Sequence, residues 1–192
     1  MLKYSYKKVD EEIARWTAEV FVKSNPKLGW WIAFTNPTAG PWKKLESKKA
    51  DGCFEEAYRF GREEKRPDLV LVNDILKKVI IIEAKDLLKK IISDNQMPKS
   101  LEVVKDMTDI LSVGQKSSWN SRISYDFISS FLWYSEKNDQ ISEEDKEVKD
   151  AFENHYIEGV PRDIMNIIII EENKRLVPKF IYNSVVSDIP TF

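Results

Sequence analysis

Apolar residues fall along this chain in short continuous runs and in spaced stripes, and the two patterns predict a mixture of strands and helices. The clearest runs are residues 69–72 (Leu-Val-Leu-Val) and 79–82 (Val-Ile-Ile-Ile), both rich in β-branched side chains. Asn73 and Asp74 give a turn signal between them, and Lys77 and Lys78 keep the connection in water, so the pair is expected as a buried hairpin. Upstream, Ile13, Trp16, Val20 and Phe21 recur at helical spacing behind a candidate N-cap at Asp10, and Asn25-Pro26 ends that helix. Residues 30–34 form an aromatic-rich strand candidate, 36–49 a loop, and 53–60 a short helix. Four lysines in that loop, Lys43, Lys44, Lys48 and Lys49, read as solvated surface, the alternative being an arm that contacts phosphates.

Beyond the hairpin, residues 86–92 are expected as a helix and 94–100 as a loop containing Pro98. Leu101, Val104, Met107 and Leu111 mark one stripe of a helix over 101–113. Phe127, Phe131, Trp133 and Tyr134 suggest an aromatic helix over 123–134, and 142–156 a charged helix with Ser142 and Asp145 as a capping-box-like pair. The segment 163–171 contains Ile-Met-Asn-Ile-Ile-Ile-Ile-Glu and is a buried strand, with residues 179–183 expected to pair with it across a turn at 171–178.

Length changes the picture little: 192 residues make one domain over 1–192, and 42% hydrophobic residues suffice for a core. Charged residues are nearly balanced, with a formal net charge of −2, which excludes a highly basic nucleic-acid coat protein but leaves room for a local basic groove. The single cysteine, Cys53, excludes an internal disulfide and a cysteine-rich metal cluster. The single histidine, His155, argues against a histidine-based nucleophile triad or a zinc centre and reads as a surface helix residue. Neither GxxxxGK nor GxGxxG occurs, so no nucleotide cofactor is expected. The first residues lack a signal-peptide core and no run reaches membrane-spanning length, so the expectation is a cytoplasmic protein without a membrane partner.

Three charged residues stand where a buried hairpin does not favour them: Asp68, Glu83 and Lys85. Residues two apart in a strand share a face, so Glu83 and Lys85 point the same way. Antiparallel pairing brings Asp68, at the start of the first strand, beside the end of the second. Two adjacent carboxylates repel, and burying them costs several kcal/mol unless a positive group joins them. Mg²⁺ suits such a hard, all-oxygen site, with one or two carboxylates completed by water and phosphate oxygens. Lys85 would then offset charge on an attacking hydroxide or on a scissile phosphate. The arrangement is suited to metal-assisted hydrolysis of a phosphodiester.

Pro67-Asp68, followed fifteen positions after the aspartate by Glu83-Ala84-Lys85, resembles the PD-(D/E)xK signature of the restriction-endonuclease-like nuclease superfamily. The resemblance covers roughly residues 66–90; elsewhere it rests on the order of elements. It implies an α/β fold with a central mixed four- to five-stranded sheet flanked by helices, residues 164–170 as the fourth core strand, and a helical insert over about 95–160. It also implies Asp68, Glu83 and the backbone carbonyl of Ala84 as Mg²⁺ ligands, and Lys85 as the residue that orients the attacking water or helps deprotonate it. An extra acid from the first helix joins the metal in many members; Glu12, Glu19, Glu55 and Glu56 are candidates, and each taken alone reads as a surface carboxylate. The implied activity is Mg²⁺-dependent cleavage of double-stranded DNA by a homodimer, in the manner of a type II restriction endonuclease. A structure-specific nuclease of the same fold and a catalytically silent nucleic-acid-binding module are the alternatives. In the stretch 114–122, Gln115, Asn120 and Arg122 are candidates for reading base edges and Lys116 for a phosphate; a plain interhelical loop has the same composition.

Overall fold

The computed structural model describes residues 29–35, 67–73, 75–118, 125–173, 175–188 and 192. They form one open, mixed seven-stranded sheet in which the strands lie side by side in chain order. The strands are β1 (Trp30–Thr35), β2 (Leu69–Asn73), β3 (Lys78–Leu87), β4 (Asp126–Tyr134), β5 (Ile164–Glu172), β6 (Arg175–Tyr182) and β7 (Val185–Ser187). Three helices are described: α1 (Leu88–Ile91), α2 (Met97–Ser118) and α3 (Ile141–His155). β2 is antiparallel to both β1 and β3; β3, β4 and β5 are parallel; β6 is antiparallel to β5 and β7 to β6. The α/β class expected from the sequence is the class observed, and the sheet is wider than the four to five strands expected.

The hairpin forms as its pattern predicts. Leu69 pairs with Ile82 and Asn73 with Lys78. Asn73 closes the turn by accepting the N–H groups of Ile75 and Leu76 on its side-chain oxygen, at 2.9 and 2.8 Å, a backbone-mimicking use of a short amide side chain. Lys77 takes the left-handed conformation at φ 55°. Both faces of these strands are buried, and their alternation sorts the core into two layers. Val70, Val72, Val79 and Ile81 join Phe131, Trp133 and the apolar stripes of α2 and α3. Leu69, Leu71, Ile80, Ile82 and Ala84 join Ile128, Leu132 and Phe180 on the other face.

The largest departure from the sequence reading is β4. The segment expected as a helix over 123–134 contains an extended strand hydrogen-bonded between β3 and β5. A strand buried on both faces loses its alternation and becomes a continuous apolar run, and Phe127 and Phe131 then mimic helical spacing. Ile128 through Trp133 are all fully buried, including Ser129 and Ser130. The stretch about 95–160 is therefore not a helical insert: it holds α2, β4 and α3, and β4 runs through the middle of the sheet. Residues 164–170 belong to the fifth strand of the sheet, not a fourth.

Smaller departures have local causes. Residues 86–92 divide between the end of β3 and the single-turn α1. Pro98 lies in the first turn of α2, where its missing N–H has no intrahelical partner to lose; the expected loop over 94–100 therefore ends early. α2 also runs past residue 113 to Ser118. Gln140, not Ser142, precedes α3, and no side chain caps its start. Asp145 is instead buried, accepting the Asn166 amide and the Lys149 ammonium, each at 2.7 Å. β6 begins at Arg175, so Pro178 lies inside a strand, opposite Ile169. β7 pairs only with residues 180–182, so the missing N–H of Pro178 falls where β6 has no further neighbour among the described residues.

The Asp145–Asn166 bond joins α3 to β5 within the core. Asp145→Ala leaves a fully buried amide without its acceptor and is expected to cost about 2–3 kcal/mol, measured by denaturant unfolding. Asp145→Asn keeps an acceptor and is expected to cost less.

Candidate functional site

The site lies where β2 begins and β3 ends. Continuing the Leu69–Ile82 register by one residue sets Asp68 across from Glu83. The Asp68 N–H donates to the Ile82 carbonyl at 3.1 Å, and Asp68 Oδ2 accepts the Ala84 N–H at 2.7 Å. These bonds fix the aspartate backbone and carboxylate before any ligand is present. Glu83 and Lys85 continue the face of β3 that carries Val79 and Ile81, the face packed by α2. The β3–β4 pairing is irregular between Ala84 and Leu87, so the ladder slips at the residues that carry the charges, a common device beside functional sites.

Lys85 is the hub of the cluster. Its Nζ donates to the Ala84 carbonyl at 2.8 Å and stands 3.7 Å from both Asp68 Oδ2 and Glu83 Oε2. The side chains of Asp68 and Lys85 are about one-fifth exposed, at 22% and 21%, whereas that of Glu83 is 7% exposed. The cluster thus presents one carboxylate and one ammonium to solvent and keeps the second carboxylate beneath them. Burial, and next the Asp68 carboxylate, push the Glu83 carboxyl up to about 8; Lys85 and the Ser100 hydroxyl pull the other way without prevailing. Among the described residues, buried Glu83 Oε1 has no hydrogen-bond partner. A buried orphan oxygen on a carboxyl with an acid neighbour is an arrangement that a cation stabilises.

The oxygen set suits a hard divalent cation. Asp68, Glu83 and the Ala84 carbonyl already surround a positive group, the Lys85 ammonium. Among the described residues no group of three or more His, Cys, Asp or Glu is placed to hold a metal ion, and two carboxylates completed by other oxygens is the set Mg²⁺ commonly takes.

Ser100 went unrecognised in the sequence because it falls in a stretch expected to be a loop. Placed in the first turns of α2, it is 3% exposed and takes part in setting the charge of Glu83. Gln96 Nε2 donates to its hydroxyl at 3.5 Å. Only the helix start at Met97 could have flagged it, and Pro98 at a first-turn position is the signal for that start.

Gln115 and Lys116 belong to the last turn of α2 rather than to an interhelical loop. Asn120 and Arg122 lie outside the described residues, as do Glu12, Glu19, Glu55, Glu56 and the lysines of 43–49. His155 ends α3, its Nε2 3.3 Å from Asp94 Oδ1, as a partly exposed surface pair. Among the described residues no helix is long and apolar enough to cross a membrane. No family model, curated protein or solved structure matches the chain.

Proposed function

We propose that this chain is a Mg²⁺-dependent endonuclease that hydrolyses DNA phosphodiester bonds, of the sequence-specific type II restriction class, acting on double-stranded DNA as a homodimer. The observation that carries this reading is the gathering of Asp68, Glu83 and the Ala84 carbonyl within ion-pair and hydrogen-bond reach of Lys85. The order of elements supports it: three antiparallel strands, then a helix crossing to a parallel strand, agree with the core of restriction-endonuclease-like nucleases. That agreement concerns fold and adds less weight than the site.

Asp68, Glu83 and the Ala84 carbonyl would hold the cation. When bound, it would supply Lewis-acid stabilisation of a phosphoryl oxygen and acidify a water. The protein's own groups account for the rest. The Ala84 N–H holds the Asp68 carboxylate in one orientation, which removes that ordering cost from the reaction. The fold keeps Glu83 away from bulk water, which strengthens its attraction to any cation that reaches it. Lys85 carries a positive charge to the place where negative charge builds on the phosphate and on the attacking oxygen.

Incubation of the purified protein with plasmid and with branched DNA, in Mg²⁺ and in EDTA, tests the reading. Discrete fragments in Mg²⁺ alone are expected. Cutting of branched substrates irrespective of sequence would move the assignment to a structure-specific nuclease. Failure to cut any DNA across many sequences and junction forms removes the proposal. DNA binding indifferent to Mg²⁺, accompanying such a failure, would favour a silent binding module.

A further inference from the structure

Lys85 occupies an unexpected position for a group meant to meet a substrate. Its side chain folds back along its own strand, so that Nζ donates to the carbonyl of the preceding residue at 2.8 Å. From there it stands 3.7 Å from an oxygen of each carboxylate. These three oxygens are ones that a divalent cation would use. We infer that the Lys85 ammonium is a built-in competitor for the cation: it neutralises the oxygen cluster in the ion-free protein and has to be displaced before it can serve a phosphate.

The inference rests on the metal-site reading and adds a device to it. An ammonium and a dication sharing these oxygens would repel by far more than thermal energy, even at an effective dielectric constant of about 20. The ion therefore binds only as the lysine leaves. The lysine has somewhere to go, because its side chain already reaches solvent (21% exposed) on a flexible four-carbon stem. Once it swings outward, it can meet the negative charge of a substrate phosphate. DNA thus favours the displaced lysine, the displaced lysine favours the ion, and by linkage the ion favours DNA. Without DNA the ion site is held weak, so the reactive arrangement assembles on the substrate.

The test is Mn²⁺ binding measured by calorimetry without DNA, on the parent, Lys85→Met, Lys85→Gln and Lys85→Arg. Thermal melts establish that each variant is folded; either neutral variant suffices if the other does not fold. Both neutral variants are expected to bind Mn²⁺ at least about tenfold more tightly than the parent, as removal of a like charge at this range implies. Lys85→Arg keeps the charge and is expected to stay within about threefold of the parent. Equal or weaker binding by the neutral variants, with a parent that binds, overturns the inference and leaves the metal site standing. Absence of binding in the parent and in every variant overturns both.

Discussion

Glu83→Gln is expected to stabilise the metal-free protein at pH 8 while removing its response to Mg²⁺. The Glu83 carboxyl is raised from 4.5 to about 8, chiefly by burial and next by Asp68. Between those values the folded state holds a proton that the unfolded state has released. Stability must then fall as pH rises through that window, by at most about 1.4 kcal/mol per pH unit. Below pH 4.5 both states are protonated and nothing is lost; above pH 8 both are ionised and the loss is complete. Glutamine carries no such charge. The variant is expected to exceed the parent by about 2 kcal/mol at pH 8, or roughly 4–8 °C in Tm for a chain of this size, and to match it near pH 4.5. Mg²⁺ should reverse the order. It needs the ionised carboxylate, so it raises the parent's Tm at pH 8, releases a proton on binding, and leaves the glutamine variant unmoved. Thermal melts from about pH 4.5 to 8.5, with and without Mg²⁺, check both halves. A substitution that stabilises the empty protein and disables the site is the mark of a residue kept for function.

Asp68→Ala and Asp68→Asn are each expected to lower the rate of DNA cleavage by about 10³-fold or more. Loss of a single donor to a developing charge already costs about 10²–10³-fold in enzymes, and removing half of the carboxylate pair weakens both ion binding and the field at the phosphate. The two variants separate chemistry from architecture. Asp68→Asn retains a side-chain oxygen for the Ala84 N–H, which the aspartate accepts at 2.7 Å; Asp68→Ala leaves that N–H without its acceptor. The alanine variant is therefore expected to lose about 1 kcal/mol of stability and the asparagine variant almost none. Initial cleavage rates in Mg²⁺, set beside denaturant unfolding of the same preparations, give both quantities.

The hairpin was legible in the sequence because two features pointed independently to one place. Its β-branched runs and the Asn73 turn define the strands, and the charges of Asp68, Glu83 and Lys85 interrupt an apolar pattern where only a partner makes them tolerable. The structure brings those three together. β4 was not legible, because a central strand flanked by parallel neighbours and buried on both faces has no alternation to read. Ser142 and Asp145 had cap-like spacing, yet the fold draws Asp145 into a bond with Asn166, a partner twenty-one residues away that no local pattern announces. Ser100 belongs to the same class: its importance arises from α2 lying against the end of β3. Local chemistry is readable where it violates the surrounding hydrophobic pattern and hidden where it depends on which element packs next to it.

The central claim is that Asp68 and Glu83 hold one hard divalent cation, and it can be tested without knowing any DNA target. Titration of Mn²⁺ onto the parent, Lys85→Gln and Asp68→Asn at pH 8, with free ion followed by electron paramagnetic resonance, reads it directly. The account predicts one Mn²⁺ per parent chain, displaced by excess Mg²⁺ and lost in the Asp68→Asn variant. A parent and a Lys85→Gln variant that both bind no Mn²⁺, or an Asp68→Asn variant that binds it as tightly as the parent, would contradict it.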